Sequence, residues 1–221
     1  MKLKTLRPAM GVFAALLAVY LWAAALAGCS LKGKASEEAS PAARSGNGAL
    51  VVCFSLPGEQ QGAGMIDNGN TEVVAEIIAR QTGADIFRIN PVRNNYYDKS
   101  YDELNETARR EKEAAARPGY TGNPDLSKYD TVFIGSPVWW NDWPMIVYSF
   151  FDKNAEGLKG KTLVPFCTHE GPGLGGLDSA LRGACPDSKV KTGLGVRSSD
   201  VLRDPGKTER TVRIWLEGLG Y

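Results

Sequence analysis

Ala49-Leu50-Val51-Val52-Cys53-Phe54-Ser55 decides the fold. The run is apolar through Phe54 with no alternation, the pattern of a strand covered on both faces by helices in a parallel sheet rather than of a strand with one wet face. Such a strand belongs at the centre of its sheet. Immediately downstream, residues 71–81 place Val73, Val74, Ile77 and Ile78 at helical spacing and stop at Thr82-Gly83, a glycine suited to a left-handed helix cap. Strand, loop and helix then recur. Residues 86–92 read as a second strand, 131–136 as a third, 162–167 as a fourth and 190–196 as a fifth, with helices expected over 100–116, 144–153, 177–183 and 208–219. Ser100 and Glu103 have capping-box spacing at the start of the 100–116 helix, whose charged sequence predicts a mostly solvated element. Five strands alternating with helices define an α/β fold with a doubly wound, five-stranded parallel sheet, and right-handed crossovers favour the strand order 2-1-3-4-5.

The sequence has 221 residues, and this domain occupies 48–221 of them. Ahead of it, Lys2, Lys4 and Arg7 form a positive segment, and residues 9–28 are an uncharged apolar run long enough to span a bilayer. A plain transmembrane anchor is one reading. The other is a lipoprotein signal peptide over residues 1–28, because Leu26-Ala27-Gly28-Cys29 resembles the lipobox of bacterial lipoproteins. Small residues there fit the signal peptidase, and the Cys29 thiol accepts the lipid. Ser30 rather than Asp after the cysteine points to the outer membrane if the cell is Gram-negative. Residues 29–47 are small and polar without periodic apolar positions, and are expected to form a flexible tether with a root-mean-square reach of about 25 Å. The location implied is the cell envelope, lipid-anchored to a bacterial membrane and facing outside the cytoplasm.

Twenty-six basic residues against 25 acidic ones leave no net field for a nucleic acid partner, so function is expected from a local site. Of four cysteines, Cys29 belongs to the leader; Cys53, Cys167 and Cys185 are an odd number without C-x-x-C spacing, which argues against a disulfide framework or a metal site. One histidine, no G-x-S-x-G elbow and no thiol beside an evident base leave no candidate catalytic acid–base pair. Cys167 reads as a small buried residue rather than a nucleophile.

In a doubly wound sheet, ligands bind beyond the carboxyl ends of the strands, where the strand order reverses. Three loops meet there. The first runs from Ser55 through Asp67-Asn68-Gly69-Asn70-Thr71 to a helix N-terminus, so it is either a simple capped helix start or an anion site in which Ser55, Asn70 and Thr71 add donors to free backbone N–H groups. The second, Ser136-Pro137-Val138-Trp139-Trp140-Asn141-Asp142-Trp143, holds three of five tryptophans, suited to stacking on a flat conjugated ring; Trp143 is the one expected to pack under the following helix. The third, Thr168-His169-Glu170-Gly171-Pro172-Gly173, has glycines that allow close backbone approach to a ligand. Its glycine pattern follows the fourth strand, not the first, and so is not a dinucleotide fingerprint. His169 is either a loop residue bonded to backbone or a group that tunes the ligand.

These segments, Gly69-Asn70-Thr71, Gly135-Ser136-Pro137-Val138-Trp139-Trp140 and Pro165-Phe166-Cys167-Thr168-His169-Glu170-Gly171, resemble the three FMN loops of the flavodoxin family, in order and across nearly all of the domain. The resemblance implies a flavodoxin-like fold with FMN as cofactor. It implies that Ser55, Asn70 and Thr71 hold phosphate, that Pro137, Val138, Trp139, Trp140 and Asn141 contact the flavin ring, and that Thr168, His169, Glu170, Gly171 and Gly173 line its other side. The departure is the length of the first loop, where residues 56–67 are expected to act as a mobile flap over the flavin. The function implied is electron transfer at a membrane surface with a redox partner protein; the alternatives are an FMN-dependent NAD(P)H:quinone oxidoreductase and a cofactor-free binding lipoprotein.

Overall fold

The computed structural model describes residues 48–61, 64–93, 96 and 99–221. The leader, the tether and Cys29 lie outside the described residues.

Ala49–Cys53 forms the central strand β1, and its side chains divide between two cores. Leu50 and Val52 enter one core; Val51 and Cys53 enter the other, which explains the lack of alternation. The chain continues through the short strands β2 (Gly58–Gln60) and β3 (Gly64–Ile66), helix α1 (Asn70–Thr82), β4 (Asp85–Arg88) and α2 (Tyr101–Glu113). Then come β5 (Thr131–Pro137), α3 (Met145–Leu158), β6 (Thr162–His169), α4 (Leu177–Ala184), β7 (Lys189–Val190), β8 (Leu194–Arg197), α5 (Ser198–Arg203) and α6 (Pro205–Leu219). The main sheet is parallel, in the order β4-β1-β5-β6, with β7 and β8 both on the outer edge of β6. This is the expected order 2-1-3-4-5. One core lies between the sheet and α3 and α4, the other between the sheet and α1 and α6.

Local signals act where the sequence placed them. Gly83 closes α1 in the left-handed region at φ 72° and donates to the Ala79 carbonyl. Ser100 and Glu103 form both hydrogen bonds of the capping box on α2. Gly135 is required by its neighbour in the sheet, because an added Cβ would fall 2.0 Å from the Phe166 ring.

Besides a second strand that ends at Arg88 rather than 92 and a third helix that runs on to Leu158, three features differ from expectation. The fifth strand is not continuous over 190–196 but broken into β7 and β8, and Pro165 is the reason. Val190 pairs with Leu163 and Leu194 with Phe166, so the outer strand carries one extra residue across the gap. The Leu163 carbonyl accepts from Lys191, which puts position 165, two residues on, on the same edge of β6. Proline has no N–H to offer there, and the ladder opens. Gly193 fills the gap because a Cβ would come 2.7 Å from the Pro165 carbonyl oxygen. Secondly, residues 56–67 contain a two-stranded antiparallel hairpin, β2–β3. Thirdly, a short helix, α5, precedes α6, which starts at Pro205 rather than at 208. Proline at the first helical position and Asp204 as cap account for that start.

Candidate functional site

The first, second and third loops leave the carboxyl ends of β1, β5 and β6, and hydrogen bonds between them draw these ends together. Thr71 Oγ1 and Thr168 Oγ1 lie 2.6 Å apart, and Val138 N donates to the Thr168 carbonyl at 3.0 Å.

In the first loop, Ser55 Oγ accepts the N–H of Glu72 at 3.0 Å and caps α1 from a distance of 17 residues. Gly69 makes this possible. A Cβ there would sit 2.1 Å from Ser55 Oγ and 2.7 Å from the Leu56 carbonyl oxygen. Asn70 opens the helix, is 3% exposed, and has no hydrogen-bond partner on either amide atom. A buried side-chain amide without partners costs about 1–3 kcal/mol, so its retention marks a place where another group completes it.

The structure sorts the three tryptophans of the second loop by environment. Trp143 is 1% exposed, its indole N–H donates to the Leu177 carbonyl, and it meets Phe151 edge to face, as expected of the core member. Trp139 is half-buried, edge-on to Phe54 and Tyr96 at 5.5 and 5.6 Å between ring centres. Trp140 is 45% exposed and donates its indole N–H to the Asn105 carbonyl. Trp140 and Asn141 are the central residues of a tight turn closed by reciprocal Trp139–Asp142 backbone bonds of 3.0 Å. Asp142 accepts from Trp143 N and from Tyr148 Oη; burial first, then this carboxylate, raises the Tyr148 pKa.

In the third loop, His169 Nδ1 accepts the N–H of Gly171 at 3.1 Å, so the proton of the neutral ring belongs on Nε2. Burial, and then the nearby Arg197, lower its pKa, with Glu170 opposing. Protonation in the unfolded chain therefore exceeds that in the folded one just below pH 6.5. The stability that neutral His169 contributes is complete above its unfolded value and lost as the pH falls through its lowered folded value. His169→Gln should narrow the drop in unfolding free energy between about pH 7.5 and 5.5; an unchanged drop on chemical denaturation would assign it to another group. Glu170 directs both carboxylate oxygens to Ser199, at the start of α5. Gly173, at φ 63°, offers its carbonyl to the Cys167 thiol, whose pKa burial pushes up to about 12. Cys53, Cys167 and Cys185 are free and buried.

Two adjoining cavities occupy this region. The larger, about 310 Å³, is lined by Pro137, Val138, Trp139, Trp140 and Asn141 from the second loop and by Thr168, His169, Glu170 and Pro172 from the third. The smaller, about 50 Å³, is lined by Ser55, Asn70, Thr71 and Thr168. Gln60, Tyr101, Leu104, Pro137, Trp139 and Thr168 border both. Of the residues singled out in the sequence, Gly171 and Gly173 lie outside this lining and shape the loop instead.

Sequence reasoning missed two contributors. The hairpin supplies Glu59 and Gln60, with Gln61 next to β2, and α2 supplies Tyr101, Leu104, Asn105 and Ala108. The α2 residues were detectable, because their i, i+3, i+4, i+7 spacing forms a weakly polar stripe on a strongly charged helix. Among the described residues no cluster suited to a metal ion occurs and no helix is long and apolar enough to cross a membrane.

A family model described as Flavodoxin matches residues 63–217. Among solved structures, a protein of Bacteroides eggerthii described as a candidate flavoprotein is 27% identical, with a TM-score of 0.61 over 79% of this chain and 98% of that one. A flavoprotein from Lactobacillus acidophilus, solved in complex with FMN, is 19% identical with a TM-score of 0.55 over 71% of this chain and 97% of that one, a likeness of fold. No curated protein matches the sequence. The family match spans most of the chain and agrees with the strand order and the loops at the switch point: the chain belongs to the flavodoxin family.

Proposed function

We propose that the protein is an FMN-binding redox protein that exchanges electrons with a partner protein at a membrane surface. The observation that carries this reading is Asn70, buried at a helix N-terminus with both amide atoms unpartnered, in the lining of a small cavity that shares several of its walls with a larger one. The residues fit FMN. Ser55, Asn70, Thr71 and the N-terminal amides of α1 suit a phosphate without any cation. Pro137, Val138, Trp139, Trp140 and Asn141 offer ring faces and backbone to one side of a planar group, and Thr168 and His169 border the other. Glu170, committed to Ser199, acts by holding the third loop to α5. When bound, FMN supplies one- and two-electron chemistry; the chain binds it, excludes water and sets the polarity around it. His169, in the lining of the larger cavity, would offer its Nε2–H as a neutral donor to the bound flavin.

The lining of both cavities contains no lysine or arginine among the described residues. The anchor is part of the same proposal: lipid on Cys29, with residues 29–47 as the tether, rests on the Leu26-Ala27-Gly28-Cys29 motif. The tether joins at Gly48, at the amino end of β1, while the cleft lies at the carboxyl ends of the strands.

The purified full chain, titrated with FMN, should quench flavin fluorescence with saturation at micromolar ligand and acquire protein-bound flavin absorbance. Absence of saturable binding would sink the FMN reading and leave the cofactor-free lipoprotein in its place. Steady NAD(P)H oxidation with a quinone would move the assignment to the oxidoreductase alternative. Cys29→Ala should release the protein from membranes; continued retention would make residues 9–28 an uncleaved span.

A further inference from the structure

Trp140 at φ 51° and Asn141 at φ 57° are consecutive non-glycine residues in the left-handed region. For a residue as bulky as tryptophan this is a strained backbone, and it persists only where its surroundings over-determine it. Helix α2 does so from outside the three loops. Lys112 Nζ donates to the Trp140 carbonyl at 2.7 Å and stands 3.2 Å from Asp142 Oδ2, so one ammonium holds both the first central residue of the turn and its closing residue. Two turns earlier on the helix, the Asn105 carbonyl accepts the Trp140 indole N–H at 3.1 Å. The start of the same helix is tied to the hairpin, where Tyr101 N donates to Glu59 Oε2 at 2.8 Å. Between these ties, Leu104, Asn105 and Ala108 face the larger cavity.

We propose that α2 is a fourth element of the ligand site and that Lys112 is its positioning residue, holding the 139–142 turn in the receptive form before FMN arrives. The inference rests on the FMN reading above. Lys112 itself lines neither cavity, so it acts through Trp140 and Asp142 rather than by touching the ligand. Without the ammonium, the Trp140 carbonyl loses a charge-assisted hydrogen bond, Asp142 loses an ion pair, and the turn is free to leave the left-handed region. FMN then binds only the fraction of molecules that keep the turn, and its apparent dissociation constant rises by the inverse of that fraction. A receptive fraction of about one tenth gives a tenfold loss. Because the bound complex is unchanged, the loss falls on association; removing a direct contact would instead speed dissociation.

The test is stopped-flow binding of FMN to the full chain carrying Lys112→Met, which keeps the aliphatic stem, and Lys112→Arg, which keeps a donor and the charge. Lys112→Met should bind about tenfold more weakly through slower association, with dissociation and the thermal midpoint of the FMN-free protein nearly unchanged. Lys112→Arg should recover most of the association rate. In the FMN-free protein, the Trp140 indole N–H resonance should shift or broaden in Lys112→Met. Wild-type rates in Lys112→Met, or a loss carried by faster dissociation, would overturn the positioning role while leaving the FMN reading intact. A wild-type chain that does not bind FMN would overturn both.

Discussion

Asn70→Leu is expected to make the FMN-free protein more stable, by about 1–2 kcal/mol, and to weaken FMN binding by about a hundredfold. The two effects have one cause. Asn70 is 3% exposed and neither its Nδ2 nor its Oδ1 has a partner, so the empty protein carries the desolvation of an amide that makes no compensating bond. Leucine has a similar branched shape, removes the polar atoms and leaves the first turn of α1 in place. The bound state loses more than the free state gains, because hydrogen bonds to a phosphate are charge-assisted. Chemical denaturation without ligand and a fluorescence titration with FMN measure the two arms. A less stable variant would mean that the amide is already satisfied in the free protein, and unchanged affinity would place the phosphate elsewhere.

Trp143→Ala should cost about 3–5 kcal/mol, a large part of the roughly 5–15 kcal/mol that holds a domain of this kind together. Trp143 is 1% exposed, packs edge to face with Phe151 and closes its indole N–H on the Leu177 carbonyl. Truncation empties a ring-sized volume in the α3–α4 core and leaves that carbonyl without its donor. Trp140→Ala, at a residue 45% exposed, should leave the denaturation midpoint close to wild type while weakening FMN binding. Denaturation curves for both variants decide the matter. Equal losses of stability would show that the two tryptophans share one role, against their environments.

The parts of the fold that were legible depend on short-range pattern. The uninterrupted apolar run of β1, the Val73–Ile78 spacing of α1, Gly83 and the Ser100–Glu103 box each act within about a turn or a strand, and each stands where the sequence placed it. The broken fifth strand was written in the sequence as Pro165, but its effect falls on a different strand. A missing N–H matters only once the partner edge is known, and that edge is set by sheet order. The β2–β3 hairpin escaped for another reason: strands of three residues are too short to display a two-residue period.

The same division runs through the site. The three loops were visible as composition, with glycines, tryptophans and small polar residues at strand ends. Their meeting followed from the topology. Trp143 was legible as the core member, but how Trp139 and Trp140 differ was not, because they are neighbours in sequence and are told apart only after Phe54 and Asn105 are brought to them from distant parts of the chain. The sequence of helix α2 reads as charged and mostly solvated, and its exposed face is so. Its other side became a wall of the cleft only because the hairpin and the 139–142 turn meet it in space.

By itself, then, the sequence determined the α/β alternation, the central strand, the helix ends and the three unusual loops at the strand ends, since these follow from the contest between each segment's side chains and water. Only the tertiary structure decided the break at Pro165, the sorting of Trp139 from Trp140, the unpartnered amide of Asn70 and the clasp of Lys112 on Trp140. Those depend on which groups stand within hydrogen-bonding or packing distance across long separations in the chain, and a local pattern carries no record of its distant neighbours.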